Sequence, residues 1–223
     1  MALVKRSIII TAGGLGKRMQ TDIPKQFLLL QGKPVLMHTL ERFYQFDPTA
    51  QIFITLPESW FGYWNELLGQ FNIQIPHQLI DGGQERFHSI KNALVKCTGT
   101  YVAVHDGVRP FVTNDLLERL FQAVSAHKAA IPVMAVNESL RHVAENGTNT
   151  AVERAAYRVV QTPQVFEADL LRLAYEIPYN SSFTDDASLV ELTGQTIHLV
   201  TGSADNIKIT QPMDLVIAAK LLG

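Results

Sequence analysis

The chain of 223 residues contains a single cysteine, Cys97. One thiol cannot close an internal disulfide or build a cysteine-based zinc site. Charge is scarce and balanced: 19 Lys and Arg face 21 Asp and Glu, charged residues are 18% of the chain, and the formal net charge is −2. A chain so balanced lacks the basic surface of a dedicated nucleic-acid binder. No run reaches the roughly 20 uncharged apolar residues that span a bilayer. The apolar stretch Ser7–Ala12 behind Lys5 and Arg6 is too short for the core of a leader and runs straight into glycines, so it reads as a first strand. A Gly-x-Ser-x-Gly elbow and a paired-histidine metal motif are both missing. The expectation is a cytoplasmic chain with no membrane span and no nucleic-acid partner.

Hydrophobic residues make up 47% of the chain, which excludes a disordered polymer. A chain of this length buries about 70% of its unfolded surface and needs no staples. Ser7–Thr11, Gln51–Leu56 and Thr100–His105 are continuous apolar runs, the pattern of strands covered on both faces. A further strand is expected over Ala129–Val136, and a short strand region over Ile73–Ile80, interrupted by Pro76. Helices are expected over Pro34–Gln45, Pro57–Leu68, Gly83–Cys97 and Asp115–His127, the last capped by Thr113 or Asn114. The alternation predicts an α/β fold with a mostly parallel twisted sheet flanked by helices, a Rossmann-like single domain over residues 1–223. Residues 137–161 break the rhythm. Asn146-Gly147 is a hairpin turn signal between Ser139–Ala144 and Thr150–Arg154, and reads as a projecting β-arm. An isolated hairpin is marginal in water, so the arm is expected to pack on a second subunit. The chain then returns to the sheet over Val159–Phe166. Helices follow over Phe166–Tyr175, Thr184–Thr193 and Gln211–Leu222, with strands over Thr196–Val200 and Asn206–Ile209.

Four segments carry chemistry. The first is Thr11-Ala12-Gly13-Gly14-Leu15-Gly16-Lys17-Arg18-Met19, directly after the first strand. Glycines there let backbone N–H groups approach an anion. The segment does not fit the GxxxxGK[ST] phosphate loop, and Met19 stands where a dinucleotide fingerprint has its last glycine. A tight turn explains the glycines equally well; Lys17, Arg18 and Lys25 on the same loop add the cations a polyphosphate needs. The second is Val104-His105-Asp106-Gly107-Val108-Arg109, which ends a buried strand where open α/β sheets bind ligands. Asp106 there suits Mg²⁺, which takes carboxylate and phosphate oxygens, or a turn cap. His105 reads as a packed residue. The third is Asp81-Gly82-Gly83-Gln84-Glu85-Arg86-Phe87-His88-Ser89, where backbone groups and Ser89 offer a surface to a flat base. The fourth pairs Thr184, read as a helix cap, with Lys208 at a strand end. Cys97 falls on an apolar helix face and reads as core.

Together these segments, in this order and over nearly the whole chain, resemble the 2-C-methyl-D-erythritol 4-phosphate cytidylyltransferases. The pieces are AGG-LGKRM with PKQF, DGGQERFHSI, VHDGVRPF, NESLR, QTPQVF, FTDDASLVE and DNIKIT. The resemblance implies a homodimer joined through the β-arm. It implies transfer of CMP from CTP to methylerythritol phosphate with Mg²⁺ and release of pyrophosphate. By motif, Arg18 and Lys25 are expected to stabilise charge on the reacting phosphates. Ala12, Gly13, Gly14, Gly16, Gly83 and Ser89 are expected around the nucleotide. Asp106 and Arg109 fall between metal, ribose and sugar phosphate. Arg154 and Lys208 would position methylerythritol phosphate, Arg154 from the other subunit, with Thr162 and Thr184 as further contacts. The arm carries Ser139 where the family has a threonine, so a hydroxyl is kept. The glycine loop is one residue longer than in some members, and Gln84 stands where some carry an acid. A ribitol 5-phosphate cytidylyltransferase is the sister reading, and a non-catalytic nucleotide-binding protein the more distant one.

Overall fold

Four consecutive residues of the first strand, Ser7 to Ile10, have no solvent exposure. Successive side chains of a strand point to opposite faces. Ile8 and Ile10 accordingly enter one core cluster and Ile9 the other. The sheet is therefore covered on both sides, which is why its central strands read as unbroken apolar runs.

The computed structural model describes residues 5–14 and 23–223. The elements are β1 (Arg6–Thr11), β2 (Leu29–Leu30), β3 (Lys33–Pro34), α1 (Val35–Phe46), β4 (Gln51–Leu56), α2 (Phe61–Gln70), β5 (Gln78–Asp81), α3 (Arg86–Leu94), β6 (Tyr101–Asp106), α4 (Asn114–His127) and β7 (Ala129–Ala135). They continue with β8 (Arg141–Val143), β9 (Asn149–Ala151), β10 (Arg158–Val160), β11 (Gln164–Glu167), α5 (Ala168–Ala174), α6 (Asp186–Glu191), β12 (His198–Thr201) and α7 (Pro212–Leu221). The main sheet has eight strands, in the order β10-β7-β11-β6-β1-β4-β5, with β12 also on β7. β5, β4, β1 and β6 run parallel, as do β7 and β12, while β10 and β11 run antiparallel to their neighbours. α1, α2 and α4 pack on one face through Leu36, Leu40, Trp64 and Leu117, and α3, α5 and α6 on the other through Ile90, Leu171 and Leu189.

From β1 the chain steps one way to β4 and β5, then returns to β6 on the other side of β1. The carboxyl ends of β1 and β6 thus flank the switch point where open α/β sheets open a crevice. Thr11 and Asp106 stand there in register.

Several boundaries differ from the sequence reading. The third helix starts at Arg86, not Gly83, because Gly82 to Glu85 form a loop. Only Gln78–Asp81 pairs within the Ile73–Ile80 region. The return over Val159–Phe166 is two strands, β10 and β11, separated by Gln161 to Pro163. Asn206–Ile209 is no strand. Its alternating pattern is satisfied instead by single bonds: Asn206 Nδ2 donates to Thr162 O at 2.8 Å, and Ile209 N to Val108 O at 2.9 Å. Helix α6 is capped by Asp185, not Thr184. The Asp185 carboxylate accepts from Ser188 N at 2.9 Å, and Gln164 Nε2 reaches the same side chain at 2.8 Å. Within residues 137–161, β8 pairs antiparallel with β9 in a sheet of their own, both strands shorter than expected and exposed throughout.

Candidate active site

A cleft of about 390 Å³ opens at the switch point. Three turns supply its walls. Thr11 to Gly14 follow β1, Gly82 to Arg86 lead into α3, and Lys25-Gln26 come from a single 3-10 turn over Lys25–Phe27. Asp106 and Val108 close one end, with Lys208 beside them.

Ala12 is pinned at both backbone atoms: its N–H donates to Thr55 O at 2.9 Å, and its carbonyl accepts from Gln26 Nε2. Gly83 is glycine for want of room, since a Cβ there would stand 2.2 Å from His88 Cβ. Its N–H donates to Ser89 Oγ at 3.0 Å, and that hydroxyl donates to Glu85 O at 3.2 Å. Ser89 therefore shapes the loop as well as lining the cleft.

Asp106 is the electrostatic centre. Its Oδ2 lies 3.0 Å from Lys208 Nζ and 3.2 Å from Arg109 Nε. Burial alone would raise its pKa, but Lys208, Arg86 and Arg109 outweigh that and hold the carboxyl well below the usual range. Arg109 is turned inward and also donates to Asn206 O at 2.8 Å. Behind Asp106 runs a neutral relay. His105 Nε2 bonds Arg109 O at 2.9 Å, which fixes that nitrogen as the donor and leaves Nδ1 to accept from Thr162 Oγ1 at 3.1 Å. Thr162 Oγ1 in turn accepts from Asp106 N at 3.1 Å. Burial pushes the His105 pKa down to about 4, so the ring is neutral and sealed from the cleft. Cys97 is 4% exposed, and burial pushes its thiol up to about 12. Neither is placed to act as base or nucleophile.

The structure thus brings Ala12, Gly13, Gly14, Lys25, Gly83, Ser89, Asp106 and Lys208 to one cleft. Arg109 and Thr162 stand behind it, holding Asp106. Thr184 is exposed and lines a small adjoining cleft with Arg86 and Phe183. Ser139 and Arg154 are exposed on the arm, where Arg154 donates to Asn137 O. Gly16 and Arg18 lie outside the described residues. Sequence reasoning passed over Arg86. It lines the cleft and holds Asp186, which is 1% exposed, through two bonds of 3.0 and 2.7 Å. Tyr175 OH donates to the same carboxylate at 2.6 Å. The pair joins residues a hundred positions apart, so no local pattern announces it.

Among the described residues no three His, Cys, Asp or Glu side chains are grouped to hold a metal, and no helix is long and apolar enough to cross a membrane. The cleft sets Lys25, Arg86 and Lys208 beside the glycine turn, with the strongly ionised Asp106 among them and the exposed Glu58, Asp81 and Glu85 along its wall; cations beside a glycine turn suit a polyphosphate. The family model of 2-C-methyl-D-erythritol 4-phosphate cytidylyltransferase matches residues 7–223. The chain belongs to that family. It is 50% identical over 221 residues to the enzyme of that name from Bacteroides thetaiotaomicron, covering 98% of this chain and all of the other. It is 45% identical over 220 residues to the one from Porphyromonas gingivalis, covering 98% of each. Solved structures agree. That of the Thermus thermophilus enzyme superposes with a TM-score of 0.76 at 33% identity, covering 96% of this chain and 97% of that one. That of the Francisella tularensis enzyme gives 0.80 at 31%, covering 96% and 98%. The chain is a nucleotidyltransferase that moves CMP from CTP to 2-C-methyl-D-erythritol 4-phosphate in isoprenoid biosynthesis, and the ribitol phosphate and binding-only readings give way to it.

Proposed function

We propose that the cleft at the β1–β6 switch point performs this transfer by electrostatic positioning alone. The observation that carries the reading is the convergence of Lys25, Arg86 and Lys208 on one cleft beside the glycine turn, with Asp106 paired to Lys208 there. The nucleophile is a phosphate oxygen of methylerythritol phosphate, already anionic at neutral pH. It attacks the α-phosphorus of CTP in line; the bond to the β-phosphate oxygen breaks, and pyrophosphate leaves. No proton has to be removed. The catalytic task is to hold two polyanions together and to spread charge as the bond forms. In this reading the turn at Ala12 to Gly14, with Gly83 and Ser89, holds the nucleoside. Lys25, with Arg18, stabilises the reacting phosphates. Lys208 and Arg109 hold Asp106 until the substrates share those cations.

Mg²⁺ fits this donor set as an ion held mainly by the triphosphate, with Asp106 as its protein carboxylate. Bound there, it neutralises phosphate charge. Arg154, Ser139 and Thr184 serve the methylerythritol phosphate, with Arg154 and Ser139 delivered by the arm of a second copy. The exposure of both arm strands supports a homodimer built around them, and the protein is proposed to act in the cytoplasm.

The dimer reading has a direct test. Lys25→Ala and Arg154→Ala chains are co-expressed with different tags and the heterodimer is isolated. One site then carries both defects and the other neither. Each parent is nearly inactive, and the heterodimer regains about half of wild-type turnover. A heterodimer as inactive as its parents contradicts the sharing of sites.

A further inference from the structure

The Lys25–Phe27 turn carries a proposed catalytic lysine on very little secondary structure. It is one 3-10 turn with no side-chain cap, entered at Pro24. The two residues after the lysine are buried and anchor the turn on either side. Phe27, 3% exposed, is clamped by Trp60, Tyr63 and Trp64 at ring distances of 5.5, 5.2 and 6.2 Å. Gln26, 1% exposed, points the other way and donates its amide to Ala12 O. Ala12 is itself fixed to β4 through Thr55 O, and the preceding Thr11 carbonyl accepts from Gly107 N at 2.9 Å. The glycine turn is thus tied to the sheet by backbone bonds and to the lysine turn by one side chain. Lys25 lies against that turn, its Cε 3.8 Å from where a Cβ on Gly14 would stand. A glutamine this deep is costly unless its amide is used. Beside Phe27 an apolar side chain of the same size would pack as well. What the amide adds is the link.

We propose that Gln26 is a positioning residue: its amide sets the distance between the Lys25 ammonium and the backbone of the glycine turn. The inference rests on the role given above to Lys25. Donors aimed at developing charge work only when they are preorganised, and a displacement of about 1 Å at the reacting centre costs up to about 10²-fold in rate.

The test is a double-mutant cycle. Gln26→Leu keeps the volume and removes the donor. Turnover falls by about 10–100-fold, with a smaller change in KM for CTP, in protein that remains folded by circular dichroism. In a Lys25→Ala background the same substitution costs less than about threefold, because the group it positions is gone. Gln26→Glu supplies an independent readout. The ionised carboxylate has no donor, whereas the protonated acid regains one. Its turnover relative to wild type therefore rises as pH falls, which a packing role would not produce. This profile decides the matter if the leucine variant does not fold. Turnover within about twofold of wild type in folded Gln26→Leu, an equal loss with and without Lys25, or a flat pH ratio overturns the proposal. Full turnover in Lys25→Ala alone overturns the reading of Lys25 and this one with it. An inactive Lys25→Ala beside a fully active Gln26→Leu overturns this one only.

Discussion

Lys25→Ala lowers turnover by about 10²–10³-fold, the loss seen when one preorganised donor to a developing charge is removed. The lysine lines the cleft next to Gly14, where the proposed reading places the triphosphate. Two features make its loss costly. The chemistry has no base step that another group could take over: His105 is neutral and buried, and Cys97 is buried with its pKa raised. Negative charge also shifts toward the departing pyrophosphate between the ground and transition states, so a cation placed there acts on rate more than on binding. Turnover and kcat/KM for CTP therefore fall together. Its neighbours Gln26 and Phe27 are the buried residues of the turn. Thermal unfolding stays close to wild type. Turnover within a few-fold of wild type in a folded variant contradicts the assignment.

The largest stability effect is expected at Arg86. Its two bonds to Asp186 and the Tyr175 hydroxyl bond satisfy a carboxylate that has no solvent exposure. The Arg86 side chain is 34% exposed and that of Asp186 not at all, so removing the arginine costs about 3 kcal/mol, the lower end for a buried pair, because the buried carboxylate is left uncompensated. Arg86→Ala therefore lowers the melting temperature by about 10 °C in a chain of this size. Replacing all three partners with apolar residues, Arg86→Met, Asp186→Leu and Tyr175→Phe, recovers most of that loss, since a well-packed apolar group is often as stable as the ion pair and no buried hydroxyl is left unpaired. Activity does not return in the triple variant, because Arg86 also faces the cleft. Calorimetry and turnover measured on the same three proteins separate the two roles. An Arg86→Ala protein that melts with wild type contradicts the account of this pair.

The parts of the molecule legible in the sequence are those whose signal is local. Ser7–Thr11 and Gln51–Leu56 are apolar on both faces because both are covered, and a continuous apolar run records that. Gly13, Gly14 and Asp106 stand at strand ends or directly after them, so topology brings them to one crevice, which Lys25 reaches from a 3-10 turn and Lys208 from an irregular segment. What escaped was decided by partners far along the chain. Thr184 and Asp185 are both good helix caps. Gln164, from β11, holds the Asp185 side chain and accepts from Ala187 N at 2.9 Å, and so selects the second. Asn206–Ile209 alternates like a strand, but Arg109 and Thr162 take up the backbone and side-chain groups of Asn206 and leave it no ladder. Arg86 and Gln26 act through Asp186 and Ala12, and nothing in the residues beside them marks either link.

The central claim is that this cleft joins CTP to methylerythritol phosphate without a protein base. The most direct measurement is pyrophosphate release from CTP and Mg²⁺ by the purified chain, with 2-C-methyl-D-erythritol 4-phosphate or ribitol 5-phosphate as acceptor. The account predicts release with the first acceptor and none above background with the second. Release with ribitol 5-phosphate alone, or none with either in folded protein, contradicts it.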